Sequence, residues 1–536
     1  MTAVLARPET PVPALRRDRR RWAWALGAVA VLGWSLAGAG LFTGEVVNAG
    51  GTAQFGRFAA AAVSPALDAE FLGVLAGSAL VTVAYAAVGT ALALALGAVG
   101  AVLVSRTTWG RRRLGWSAAR GVLAVPRGLH EAVWGLLLVN VLGLDPWVGV
   151  LAIGIPYGAV SAKVFADLVD EVPRGGYAAL LASGSGRPAA ALYGLLPPAA
   201  GGLLSYSFYR LECAVRSAVV LGLIGAGGLG YQLSLSFASL RWDEVWSAVY
   251  ALALLCLLAD VAGRSVRRRL AAPAAGPGRD PVLTGAVLGT LALVAWSWWY
   301  LALDPAALAS DRAREQLDHV LGAAWPPATD GALLRSIGTL AVDTVQMSVV
   351  AIAVAALGAV LLAGPAARPP GRLRPGRRVA GALVRLGLLL LRAVPPPVWA
   401  LVLLFVLLPG VLPGALALGV YTLGVLGRLA AEATEELDPR PRAALTALGA
   451  RPAGAWLYGV LPRAAGPVLA YVLYRWEVVI RDTVLVGLLG AGGLGALLAS
   501  RMAAFDWAAV TTVLAAIVVL TWLVDLVSDR ARRALR

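Results

Sequence analysis

Apolar residues fall in long blocks along this chain, separated by short connectors rich in arginine, proline and glycine. Residues 22–41, 78–104, 132–158, 245–262, 282–303, 345–364, 379–408, 411–431 and 507–527 are each long enough to cross a bilayer, given about 20 residues per spanning helix. Charged residues are sparse inside the blocks and dense between them, as a hydrocarbon core demands. The pattern predicts an all-α integral membrane protein.

A longer period lies over the first. Tyr193–Gly230 (YGLLPPAAGGLLSYSFYRLECAVRSAVVLGLIGAGGLG) returns 265 residues later as Tyr458–Gly495 (YGVLPRAAGPVLAYVLYRWEVVIRDTVLVGLLGAGGLG), with 22 of 38 positions identical and no gap. Tyr, Arg, Glu, Pro and Gly recur in register, which shared Ala/Leu/Val composition would not produce. The chain is a tandem duplication. Weaker copies keep the same offset: Arg127–Trp134 matches Arg392–Trp399, with His130 and Glu131 replaced by Pro395 and Pro396. Lys163, Asp167 and the pair Asp170-Glu171 match Arg428, Glu432 and Glu435-Glu436. On a helix each cation lies one turn from its acid. That suits a surface ion pair at a helix end, but its repetition favours something more constrained.

Composition and charge give the orientation. The chain is 59% hydrophobic and 14% charged, against about a quarter charged in soluble domains. The net charge of +16 gathers at 16–21, 106–120, 264–279, 368–378 and 530–536, just outside apolar blocks. The positive-inside rule puts all five clusters in the cytoplasm, so no nucleic-acid partner is needed and the contact is with membrane lipids. Two spans then precede 106 and four lie between 120 and 264. The expectation is about twelve transmembrane helices as two tandem parallel six-helix repeats. The expected divisions are a cytoplasmic tail over 1–21, retained rather than cleaved as a signal peptide, a first domain over 22–263, a basic cytoplasmic linker over 264–281 and a second domain over 282–536. Both termini would be cytoplasmic.

The stretches 173–198 and 438–467 are too polar and too rich in Pro and Gly to cross lipid. Each reads as a cytoplasmic loop with a short helix (Tyr177–Ala182, Arg442–Leu448) that re-enters the membrane at Leu196-Pro197 or Leu461-Pro462.

The candidate chemistry sits in the long repeat. Glu212 and Arg216, like Glu477 and Arg481, are four apart and share a helix face, with Arg210 and Arg475 a turn and a half before each arginine. Charges at membrane depth face a bundle interior or a wet pathway. Two readings stand: ion pairs that lock helices together, or arginines 216 and 481 lining a route for an anion. Asp482 replaces Ser217, so the two faces differ in charge. Gly225, Gly227, Gly228 and Gly230, with Gly490, Gly492, Gly493 and Gly495, spell a literal Gly-x-Gly-x-x-Gly. No strand–turn–helix unit surrounds them, so a dinucleotide site is rejected in favour of close packing or a helix break near the outer face.

Other chemistries are excluded. Cys213 and Cys256 lie in apolar segments, and with only His130 and His319 no metal site is expected. Lys163 is the single lysine and Val164 follows it, so no Gly-x-x-x-x-Gly-Lys-[Ser/Thr] phosphate loop exists. The chain is expected to be no enzyme and to hold no cofactor. If transport is ATP-driven, the motor is a separate subunit.

Gly184 and Gly449, each thirteen residues before Pro197 or Pro462, resemble the "EAA" loop of ABC importer permeases. The runs Arg127-x-x-x-Glu131-x-Val133-Trp134 and Tyr-x-x-Tyr-Arg-x-Glu-x-x-x-Arg at 206–216 and 471–481, with the Gly-Leu-x-Gly-Ala-Gly-Gly-Leu-Gly endings, are similar to phosphonate-type importer permeases. The resemblance covers most of 78–262 and 336–527. Such permeases usually carry one unit per chain and work in pairs; here two units are fused. The resemblance implies a type I ABC importer permease fold in a bacterial cytoplasmic membrane. It implies an ABC ATPase in two copies that binds ATP and Mg, an extracytoplasmic binding protein, and phosphonate, phosphite or phosphate as solute. It makes Ala178, Gly184, Pro197, Ala443, Gly449 and Pro462 part of two coupling loops, although Ala178 and Ala443 stand where the loop's glutamate would be. The rivals are a twelve-helix secondary transporter, which has no need of these loops, and a membrane-embedded enzyme, for which no catalytic cluster recurs in both halves.

Overall fold

The computed structural model describes residues 19–42, 46–110, 113–271, 280–368 and 375–535. Among these the chain is helical, and its one β pairing is the bridge Val47–Leu407. Seven helices are long and apolar enough to cross a membrane alone: Ala69–Trp109, Trp147–Glu171, Trp242–Leu270, Pro281–Tyr300, Gly331–Ala366, Val411–Glu435 and Trp507–Ala534. Four bent helix pairs raise the number to eleven. The shorter apolar helix Trp22–Gly38 leads the first half as Pro281–Tyr300 leads the second. Both repeats are built of helices, as expected of an all-α membrane protein.

Aspartates fix where several spans begin. Asp68 accepts the Phe71 N–H at 2.8 Å and Asp330 the Leu333 N–H at 2.8 Å, satisfying donors left free at a helix N-terminus. The predicted starts at Leu196 and Leu461 are observed, with proline next in each case. Small residues then let neighbours close in: a Cβ on Gly149 would lie 2.7 Å from the Tyr85 ring, and one on Gly358 2.7 Å from Leu423.

Two expected spans are divided. Residues 132–158 do not cross as one helix: Glu131–Leu142 ends at Gly143, and Trp147–Glu171 starts after Asp145 accepts the Trp147 N–H at 2.8 Å. The run 379–408 breaks between Pro375–Ala393 and Pro396–Val406 with a 93° bend, because Pro395, Pro396 and Pro397 supply no N–H to the preceding turn. In the first half the matching bend is 82°, and there the His130 ring caps the second arm by accepting the Ala132 N–H at 3.1 Å.

Helix Trp242–Ala271 runs through 264–271 of the expected linker. No proline intervenes before Pro273, and Arg264 pairs with Asp260 one turn back at 3.2 Å. Residues 272–279 of that linker and 1–18 of the expected tail lie outside the described residues.

Candidate functional site

Helices Leu196–Leu221 and Leu461–Val486 both contribute to the wall of one cavity of about 620 Å³. The predicted residues Arg210, Glu212, Arg216, Arg475, Glu477, Arg481 and Asp482 all line it.

Their pairing is less regular than the spacing suggests. Arg216 meets Glu212 at 3.4 Å, and Glu212 also takes Arg267 at 3.5 Å. Across the repeat, Glu477 takes Arg532, the counterpart of Arg267, but does not pair with the Arg481 side chain. Arg481 instead donates to two backbone carbonyls, those of Glu477 at 3.0 Å and Arg127 at 3.1 Å. A Glu477–Arg481 ion pair is therefore not formed: the Arg481 guanidinium is turned to the two carbonyls, and Glu477 holds Arg532. Arg210 donates from Nε to the Tyr206 hydroxyl at 2.7 Å and lies 4.3 Å over the Tyr157 ring. Its equivalent Arg475 keeps Nε and Nη2 buried without a hydrogen-bond partner.

The Ser217/Asp482 difference has a structural counterpart. His130 stands between two carboxylates, Nδ1 3.6 Å from Glu131 and Nε2 3.6 Å from Asp482. Ser217 donates to Glu131 at 2.5 Å and shares a 2.6 Å hydrogen bond with Tyr157. The second half has prolines where His130 and Glu131 stand, so this cluster occurs at one of the two junctions between halves.

A buried carboxylate missed in the sequence ties the halves together. Asp260 lies 3.5 Å from Arg392, 3.1 Å from Arg428 and 3.2 Å from Arg264. Its repeat partner Asp525 has no ion pair among the described residues, and its Oδ1 is buried without a hydrogen-bond partner. The 265-residue register of Asp260 with Asp525 was the available signal. Of the two repeated cation–acid spacings, Arg428–Glu432 forms at 2.8 Å, whereas Asp167 takes Arg120 at 2.6 Å instead of Lys163.

The predicted loops are two-helix hairpins away from the cavity. Gly184 separates Gly175–Ala182 from Arg187–Gly194, and Gly449 separates Arg440–Ala447 from Pro452–Gly459. Both glycines have positive φ, +88° and +84°, and a Cβ on either would meet open space. Backbone conformation, not crowding, requires glycine there. Ala178 and Ala443 lie in the first helix of each hairpin, and Pro197 and Pro462 open the span beyond. The acidic residue before each hairpin grips the preceding connector. Asp170 accepts from Ser105 Oγ at 2.7 Å and the Arg106 N–H at 2.8 Å, and Glu435 accepts the Arg368 N–H at 2.6 Å.

The glycine runs break their helices. Gly225, Gly227 and Gly228 have φ between +76° and +103°, and Gly490, Gly492 and Gly493 between +68° and +98°. Thr82 Oγ1 accepts the Leu229 N–H and Thr344 Oγ1 the Leu494 N–H, both at 2.9 Å, so each break is pinned to a neighbouring span. Gly230 and Gly495 are packing glycines, with no room for a Cβ.

Among the described residues no group of three His, Cys, Asp or Glu side chains is placed to hold a metal. A family model described as "Binding-protein-dependent transport system inner membrane component" matches twice, over 94–272 and 355–536. The chain is similar to the phosphate-import permease protein PhnE of Mycolicibacterium smegmatis, 28% identical over 87% of this chain and 86% of that one. It is similar to the putative phosphite transport system permease protein HtxE of Stutzerimonas stutzeri, 37% identical over 30% of this chain and 60% of that one. It is also similar to the putative cryptic phosphonate transport system permease protein PhnE2 of Escherichia coli, 37% identical over 22% of this chain and 97% of that one. No solved structure matches the chain.

Proposed function

The chain belongs to the binding-protein-dependent transport system inner membrane components, and from that premise we propose that its central cavity is the route by which a phosphorus oxyanion crosses the membrane. It is the membrane-spanning permease of an ABC importer, and both permease units lie in one polypeptide. The observation that carries the solute reading is one cavity to which both halves supply half-buried arginines, among relatives named for phosphate, phosphite and phosphonate. An ion-gradient transporter finds no support among these relatives.

In this reading the arginine-rich connectors and both termini face the cytoplasm, and 1–21, 22–263, 264–281 and 282–536 act as tail, first permease domain, linker and second permease domain. Two copies of an ATPase carry the ATP and Mg and dock on the hairpins, whose exposed faces include Tyr193, Leu448 and Tyr458. The grips of Asp170 and Glu435 on the preceding connectors would pass hairpin motion to the spans. A binding protein delivers the anion at the glycine-broken outer ends.

Arg216→Ala combined with Arg481→Ala should cut uptake by on the order of a hundredfold, since each charge-assisted hydrogen bond contributes about 1.5–3 kcal/mol. The test is uptake in vesicles with ATPase and binding protein present, alongside a check of complex assembly. Undiminished uptake would take these arginines off the route. Gly184→Val with Gly449→Val forces positive φ on branched residues at about 1–2 kcal/mol each. ATP hydrolysis should continue while anion moved per ATP falls; an unchanged ratio would remove the hairpins from coupling.

A further inference from the structure

The two junctions between halves carry an aspartate and two cations in the same register but in different ionic states. At one junction Asp260 neutralises Arg392 and Arg428 at 3.5 and 3.1 Å. At the other, the matching residues are Asp525, Arg127 and Lys163, 265 positions away in each case. Among the described residues no carboxylate lies within ion-pair distance of Arg127 or Lys163, although both line the cavity. The neighbouring acids are engaged elsewhere: Asp167 holds Arg120 at 2.6 Å and Glu477 holds Arg532. Lys163 is exposed. Arg481, donating to the Arg127 carbonyl at 3.1 Å, adds a third cation to the same wall.

We propose that Arg127 and Lys163 form the subsite that holds a small tetrahedral oxyanion in the cavity, and that Arg392 and Arg428, already neutralised by Asp260, do not. The proposal rests on the reading of the cavity as an oxyanion route and adds where the anion stops. Two cations with no carboxylate within ion-pair distance raise the local potential in the cavity, so an anion gains there what it cannot gain at the neutralised junction. A guanidinium offers a planar fork for two oxygens, and an ammonium offers a compact point charge for a third. Asp525, unpaired on the same wall, repels the bound anion and keeps the hold weak enough to release, as a permeation pathway requires.

Because Lys163 is the single lysine, its reactivity reports on the subsite directly. The full complex in lipid nanodiscs is treated with an amine-acylating reagent, and the peptide carrying Lys163 is quantified by mass spectrometry. Phosphate, phosphite or methylphosphonate should slow acylation about tenfold, while chloride at equal ionic strength should not. Arg127→Gln should abolish the protection, and Asp525→Asn should give it at lower anion concentration. Should Arg127→Gln fail to assemble, the Asp525→Asn shift decides. Acylation unaffected by every oxyanion, or slowed equally by chloride, overturns the subsite. Vesicle uptake is scored separately. If no phosphorus oxyanion enters while sulfate still protects Lys163, the identity of the solute is wrong and the subsite stands.

Discussion

Asp260→Ala should destabilise the folded chain by about 3–5 kcal/mol, the usual cost of removing one partner from a buried ionic network. The Asp260 side chain is 4% exposed and Arg392 11%, so removing the carboxylate strips Arg392 of its ion-pair partner and leaves Arg428 beside it with Glu432 alone. Arg264, 40% exposed, contributes little to that figure. Both deep arginines belong to the second half and Asp260 to the first, so the loss falls on the contact between repeats. Thermal unfolding of the purified protein in mild detergent measures it, with Asp525→Ala as the internal comparison. Asp525 makes no ion pair among the described residues, so its removal should be close to neutral. Equal losses from the two substitutions would mean that the network in the first junction does not hold the halves together.

Gly230→Val and Gly495→Val should each cost more than about 3 kcal/mol, beyond the ordinary penalty for overpacking. A Cβ at Gly230 would lie 1.8 Å from the Val219 carbonyl oxygen, and one at Gly495 2.2 Å from that of Val484. Both obstacles are backbone atoms of the helix that folds back at the glycine break, so no side-chain rotation relieves them. Gly490 offers a contrast within the same motif. Its φ is +98° but a Cβ there meets nothing within 4 Å, so Gly490→Ala should cost only about 1–2 kcal/mol. Yield of monodisperse protein and melting temperature, compared across the three variants, check this ordering. Well-folded Gly230→Val protein would show that the break can open without harm.

Local signals were legible wherever the cause was local. Leu-Pro at 196 and 461 marked the span starts, since proline suits a first helical turn. Polar, glycine-punctuated stretches marked the hairpins, though each holds two helices where the sequence pattern suggested one. The bends were harder to read. Three consecutive prolines announce the one at 395–397, but its mate depends on His130 acting as a helix cap, which hydropathy does not record. The block 132–158 misled because Gly143–Pro146 turns the chain without adding charge enough to interrupt an apolar average. Which charged side chains of the long repeat share one cavity followed from the duplication, whereas their pairing did not. Glu477 meets Arg532 and Asp260 meets Arg428, partners 55 and 168 residues away that only tertiary packing selects.

The solitary histidine cluster bears on how such a chain can evolve. Were the transporter built from two separate copies of its first half, each His130 would face a serine in place of Asp482, and each Asp260 would meet Arg127 and Lys163. Joining the units end to end fixes their ratio at one to one and gives each residue a single, unlike mate. A substitution on one side then no longer appears twice in the finished machine, and the twin halves are free to divide labour.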